Sequence, residues 1–356
     1  MISTQQSQNF LFSAINVTKP IYLLIDSYFM IAVLILNIIS YFLVRYDLAL
    51  KTKRRHSIKE VCKPVLSCVV DQDPKFLMQA WNWLVSAWAS GACQDFVVII
   101  HHIEPPPYAL EKAAERFGAN IIVIEPFGEG PARYCNKLQS HDHVIATGRS
   151  GAILTDVDLF YLQSPLPCLD ASWIQSKIVD HPNPASTALT ELFDKMGLPP
   201  QHLNSIPTFR PQSHTHMFNC NGGLYALPMT QLAKLTMYWR HYSSKCLTQT
   251  DILENKLHHS DQLGFMLALI KTKLPFRHLD LSYNFPTHFK SSVYDSCNTD
   301  DIKILHYHHK INEKGRLLST GHKAVDTYIN KANTILAEYD SLPEYADIQA
   351  QYSLSL

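Results

Sequence analysis

The chain has 356 residues, 46% hydrophobic and 17% charged, and its 31 basic and 31 acidic side chains cancel to a net charge of zero. That length and apolar content suit one large domain or two modest ones, and the balanced charge argues against a nucleic-acid surface. Eight cysteines stand singly with no Cys-x-x-Cys pair, so they read as buried thiols of a reducing compartment rather than a disulfide frame.

After an N-terminal tail of residues 1–20, the stretch from Ile21 to Val44 is almost wholly apolar, broken by Asp26, Asn37 and small hydroxyls. At ~1.5 Å per residue it matches a bilayer core and reads as one single-pass transmembrane helix. Only Lys19 precedes it, whereas Lys51, Lys53, Arg54 and Arg55 follow in a basic juxtamembrane linker, residues 45–62. That bias keeps the large C-terminal part facing the cytosol. A helix lying in the interface is the competing reading, favoured by Asp26 and Asn37.

From residue 63 to 322 strand and helix signals alternate. An apolar run from Pro64 to Val70 is followed by Asp73-Pro74, a cap and first-turn proline, and then by Phe76, Leu77, Ala80, Trp81, Leu84, Val85 and Trp88 at helical spacing until Gly91. Phe96 to Ile100 is a second strand, Tyr108 to Phe117 a second helix closed by Gly118, and Ile121 to Glu125 a third strand. This βαβαβ order predicts an α/β fold with a doubly wound, mostly parallel sheet flanked by helices. Ligands of such sheets gather beyond the C-terminal ends of the strands, where Asp71 and Asp73 fall. No Gly-x-Gly-x-x-Gly follows the first strand, which excludes the usual dinucleotide site.

The central signal is Ala152 to Phe160, an apolar run ending in Asp156 and Asp158. Strand alternation aims both carboxylates the same way, and such a pair repels itself unless a cation sits between them. Residues 165–215 are rich in Pro, Ser and Asn and read as a long excursion over the sheet. In Met217 to Tyr225, Gly222 and Gly223 suit a close backbone approach to a ligand or a tight turn into a strand. Helices fit Thr230 to Tyr242 and Asp261 to Lys271, the latter capped by Ser260, and a last strand from Ile302 to Leu305 delivers His306. Residues 323–356 hold a closing amphipathic helix, Lys323 to Tyr339, and a tail.

Taken together, Asn136-Lys137-Leu138, Thr155-Asp156-Val157-Asp158, Phe218-Asn219-Cys220-Asn221-Gly222-Gly223, Ser260-Asp261-Gln262 and Ile304-Leu305-His306-Tyr307-His308 resemble nucleotide-sugar-dependent glycosyltransferases of GT-A fold carrying an Asp-x-Asp motif, over roughly residues 63–310. The resemblance implies a divalent cation, Mn2+ or Mg2+, held against the donor diphosphate by Asp156, Asp158 and His306, with His308 as a substitute for His306. It also implies that Asn219, Asn221, Gly222 and Gln262 face donor sugar or acceptor.

By the chemistry of the residues, Asp158 is the expected direct ligand and Asp156 the partner of the ribose or a metal-bound water. His306 tilts the choice toward manganese. Lys137 is expected near the diphosphate or on a solvated helix face, and Asp71 near the nucleotide base or ribose. Asp261 is expected as the catalytic base, against the simpler role of an acid favoured in a first helical turn. The expected partners are a nucleotide-sugar donor, a glycan, lipid-linked or protein acceptor, and the membrane. The alternatives are a metal-dependent phosphohydrolase or nucleotidyltransferase, and a non-catalytic membrane-anchored nucleotide-sugar-binding protein.

Overall fold

In the computed structural model, residues 63–198, 204–210 and 212–355 are described. The expected membrane helix at residues 21–44 and its basic flank lie outside them. Among the described residues no helix is long and apolar enough to cross a membrane.

The N-terminal half follows the βαβαβ expectation. Strand β1 (Val65–Val70) leads into helix α1 (Pro74–Ala89), where the Asp73 carboxylate accepts from the Lys75 backbone N–H at 3.0 Å and caps the first turn. Strand β2 (Val97–Ile103), helix α2 (Tyr108–Phe117, closed by Gly118 in the left-handed region) and β3 (Ala119–Ile124) come next. A 3-10 segment, Gly130–Ser140, and helix α3 (His141–Ala146) lead to β4 (Gly151–Thr155). These four strands run parallel, with β1 between β2 and β4.

The second half corrects the picture of a mostly parallel sheet to a mixed one. Beyond β5 (Leu159–Tyr161), the supposed excursion at 165–215 contains β6 (Ile174–Ile178), an interior strand of the main sheet, and helix α4 (Ser186–Lys195). The hairpin β7 (Ser205–Pro207) and β8 (His214–His216) then precedes β9 (Cys220–Pro228). Strand β9 runs antiparallel to both β4 and β6, while β10 (Phe276–His278) pairs parallel with β6 at the edge. The full order is β3-β2-β1-β4-β9-β6-β10. Strand β6 was hidden in the sequence because its buried polar side chains find distant partners: Gln175 donates to Cys168 O at 2.5 Å and Lys177 to Asp180 at 2.6 Å.

Helices cover both faces. On one side Leu66, Cys68 and Val70 pack with Trp81 and Leu84 of α1 and with Ile329 and Leu336 of α7 (Lys323–Ala337). That side also takes α8 (Pro343–Ser353), a second C-terminal helix where only a tail was expected. On the other side Leu154, Tyr225 and Leu227 meet Leu235 and Trp239 of α5 (Met229–Leu247) and Leu263 and Phe265 of α6 (Ser260–Thr272). Strand parity explains the split, since Leu66, Cys68 and Val70 alternate with Val65 and Ser67. Ser260 is not the cap of α6; it is the first helical residue, preceded by His259, which makes no side-chain cap. All seven cysteines described are free thiols, five of them buried, as the composition leads one to expect.

A small second sheet, β11 (Phe285–Pro286), β12 (Ile304–His306) and β5, stands beside the main one. Its register pairs His306 with Leu159 and with Pro286, which sets the candidate site.

Candidate active site

Asp156 and Asp158 sit in the turn between β4 and β5, at the C-terminal rim of the sheet. Because this is a turn, simple strand alternation does not govern them, and the two carboxylates take different partners. Asp156 pairs with Lys137 at 2.5 Å, while Asp158 faces His306 Nε2 at 3.3 Å and His308 Nδ1 at 3.8 Å. One ligand atom from each of Asp158, His306 and His308 lies within 4.8 Å of the others, and Asp156 is outside this triad.

The proton positions around His306 follow from a chain anchored on the backbone. Asn221 Oδ1 accepts from the Gly223 backbone N–H at 2.9 Å and from Asn284 Nδ2 at 3.1 Å, which turns Asn284 Oδ1 toward His306 Nδ1 at 2.8 Å. A carbonyl oxygen only accepts, so Nδ1 carries the hydrogen and the neutral ring presents a bare lone pair at Nε2. Burial keeps the ring neutral, pushing its pKa down to about 4 against the opposing pull of Asp156. The lone pair therefore meets a carboxylate oxygen at 3.3 Å, and both atoms are buried without a hydrogen-bond partner. Two facing acceptors repel, and a cation between them turns the repulsion into coordination. A ligating imidazole that donates its other N–H to a carbonyl is the usual outer-shell arrangement of such sites. The residues thus fit a divalent cation.

Strand β9 makes room for this chain. It bulges against β6 at Asn221–Gly223, where the Ser176 hydroxyl donates to Leu224 O at 2.7 Å. A Cβ at Gly223 would stand 2.7 Å from His306 Cε1 and 2.9 Å from Asn221 Oδ1, and one at Gly222 would stand 3.2 Å from Gln262 Cγ. Glycine is required at 223 by the packing of the His306 ring rather than by the approach of a ligand. Gly223→Ala is therefore expected to displace His306 and weaken metal binding by about 10–100-fold, read by calorimetric titration with Mn2+; unchanged affinity would show the ring to be dispensable.

Lys137 is buried, with 6% of its side chain exposed, so the solvated-face alternative is corrected. Its ammonium donates to Gly222 O and pairs with Asp156. Burial pushes it down, but Asp156 and Asp261 outweigh that and leave it above the ordinary lysine value. Asp261, in the first turn of α6, is held there by Trp239, whose indole N–H donates to Asp261 O at 2.7 Å. Burial lifts its carboxyl to about 7, with Lys137 pulling down and Asp156 pushing up. Lys137 satisfies Asp156 first, and Asp261 keeps the cost of burial.

This raised value sets a sign. The unfolded chain gives up the Asp261 proton near the ordinary aspartate value and the folded chain only near 7, so stability is lost as pH rises through that window. Asp261→Asn removes the loss, and its melting temperature relative to wild type is expected to climb between pH 4 and 7 and stay level above it. A pH-independent difference would place the carboxyl elsewhere.

The other predicted positions divide. Asp71, at the end of β1, accepts from Gln72 N at 2.7 Å and from Asn136 Nδ2 at 3.4 Å, tying β1 to the 3-10 segment. Gln262 lies against Gly222 and bonds His259. The Asn219 amide is spent on Thr215 Oγ1 at 2.9 Å, in the β8 region. Three residues escaped the sequence reading: Asn284, Asp180, which accepts from Asn221 Nδ2 at 3.1 Å, and His288. For Asn284 and His288 the only signal was an amide before and an imidazole just after the Phe285–Pro286 strand, and Asp180 left none.

No protein-family model matches the chain, and no curated protein matches it. Among solved structures it is similar to mouse xyloside xylosyltransferase 1 in its apo form, with 13% identity over 68% of this chain and 97% of that one, TM-score 0.43. It is also similar to the galactosyltransferase LgtC in complex with donor and acceptor sugar analogs, with 14% identity over 80% and 99% of the two chains, TM-score 0.45. A third is WbbM, a bifunctional glycosyltransferase, with 8% identity over 82% and 52%, TM-score 0.49. Each of these proteins is a glycosyltransferase. The likenesses are loose in backbone path, and the functional reading rests on the residues of the site.

Proposed function

We propose that the protein is a metal-dependent glycosyltransferase that moves a sugar from a nucleotide-sugar donor to a glycan or membrane-associated acceptor. The observation that carries this reading is the lone pair of His306 Nε2 facing Asp158 Oδ1 at 3.3 Å, at the rim of the sheet beside Lys137, Asp156 and Asp261. Asp158, His306 and His308 would hold the cation, with manganese favoured over magnesium by the imidazoles. When bound, a divalent cation offsets the charge that develops on the departing diphosphate.

The side chains of the chain supply the rest. Asp156 is held by Lys137 with 38% of its side chain still exposed, so one oxygen is free to accept a hydrogen bond from a ribose or sugar hydroxyl. Asp261, poised near neutral pH, is suited to receive a proton from an attacking hydroxyl. Asp71, just past the C-terminal end of β1, would meet the nucleotide, because α/β sheets receive such ligands beyond that rim. Residues 21–44 are proposed as the anchor, with the basic flank and the catalytic part on the cytosolic side.

The test is a panel of nucleotide sugars incubated with Mn2+ and simple glycans. Release of nucleoside diphosphate together with a glycosylated product is expected. Release of free phosphate without any acceptor product would instead identify a phosphohydrolase, and binding without turnover a non-catalytic protein.

A further inference from the structure

A second triad lies behind the first. Asp180, His288 and His308 also bring one ligand atom each within 4.8 Å of one another, so His308 belongs to both groups. Asp180 is buried at the end of β6, where Oδ1 accepts from Lys177 Nζ at 2.6 Å and Oδ2 from Asn221 Nδ2 at 3.1 Å. These donors fix the carboxylate and leave each oxygen a further lone pair. His288 lies just past β11, next to Thr287, whose backbone N–H donates to His306 O at 3.0 Å, so the same small sheet that delivers His306 also delivers His288.

The rings of His288 and His308 stand edge to face with centroids 4.0 Å apart. His288 Nδ1 and His308 Nε2 are buried with no hydrogen-bond partner, whereas His308 Nδ1 is the atom 3.8 Å from Asp158. A buried polar atom without a partner is costly in a folded protein, and here two ring nitrogens are in that state beside a fixed carboxylate.

The geometry points to a second divalent-cation site formed by Asp180, His288 and His308, adjacent to the first; with both filled, His308 bridges them as an imidazolate, Nδ1 toward the ion on Asp158 and Nε2 toward the second, its ring proton released to solvent as the second ion binds. Two imidazoles and one carboxylate suit zinc, cobalt or manganese rather than calcium or magnesium. The Lys177 ammonium on Asp180 makes this inner position the weaker of the two, since among the described residues no lysine or arginine forms an ion pair with Asp158. The inference shares a ligand with the donor-cation site proposed above but does not need its sugar chemistry.

Metal-free full-length protein titrated with Co2+ alone, followed by calorimetry and by the d–d absorption of the ion, tests it. Two equivalents are expected in wild type, the second weaker; His288→Gln should leave the stronger step alone, and Asp158→Asn the weaker. A single equivalent in wild type overturns the second site while leaving the proposed function standing, and this outcome needs no variant to fold. Two equivalents retained in a folded His288→Gln protein would overturn the ligand assignment. No binding at all would overturn both sites.

Discussion

Replacing Asp158 with Asn is expected to lower metal-dependent transfer by about 10²–10³-fold, the loss typical of one electrostatic contact to developing charge, without unfolding the protein. In wild type a carboxylate oxygen and a bare imidazole nitrogen face each other at 3.3 Å with no hydrogen between them. The amide introduced by Asp158→Asn brings a donor to that gap, so the variant gains a hydrogen bond of about 0.5–1.5 kcal/mol in the absence of metal. Metal-free Asp158→Asn should therefore melt at or above the wild-type temperature while its Mn2+ affinity collapses. The pairing of a stable fold with lost affinity separates a ligand from a structural residue. Full activity, or a melting temperature that falls along with activity, would contradict the assignment.

The second large effect belongs to Lys137. Its ammonium is the nearest counter-charge to Asp156 and also lies beside Asp261. Lys137→Met keeps most of the volume and removes the charge, leaving Asp156 with an unpaired carboxylate and Asp261 with no opposing pull. Removing one partner of a fully buried pair costs about 3–5 kcal/mol; the 38% exposure of Asp156 reduces that to about 2–3 kcal/mol here. Denaturant unfolding measures the loss, which should shrink in the Lys137→Met, Asp156→Asn double variant because the stranded charge is then gone. A double variant no more stable than the single one would show that Lys137 acts through packing on Tyr225, over whose ring it lies at 5.2 Å, and not through Asp156.

Much of this arrangement was legible in the chain itself. Helix Tyr108–Phe117 has the bounds its periodicity and Gly118 dictate, and α1 begins where Asp73-Pro74 says it should. Those signals are local: a cap, a proline, a glycine in the left-handed region and an apolar stripe. His306 was legible because a short apolar strand delivers it, and Asp158 because an apolar run ends there.

What was not legible depends on pairings distant in sequence. Ile174–Ile178 alternates Gln175 and Lys177 with apolar residues, which reads as half-solvated chain until Asp180 and Cys168 are folded against it. Lys137 and Asp156 meet across the rim between a 3-10 segment and a turn, a contact no spacing rule predicts. Asn284 and His288 flank a two-residue strand, too short to leave a periodic trace, yet Asn284 decides which nitrogen of His306 carries the proton. The two glycines carry a different lesson. A ligand approach or a tight turn explained them in the sequence, but it is the His306 ring that occupies the space a side chain at 223 would need.

The central proposition is that Asp158, His306 and His308 share a divalent cation that serves a nucleotide-sugar donor. A crystal of the full-length protein grown with Mn2+ and a bound nucleotide sugar, with diffraction recorded at the manganese absorption edge, puts it to the test. An anomalous peak between Asp158 Oδ1 and His306 Nε2, touching the donor diphosphate, is the predicted result. A donor bound with no peak between those two atoms would contradict it.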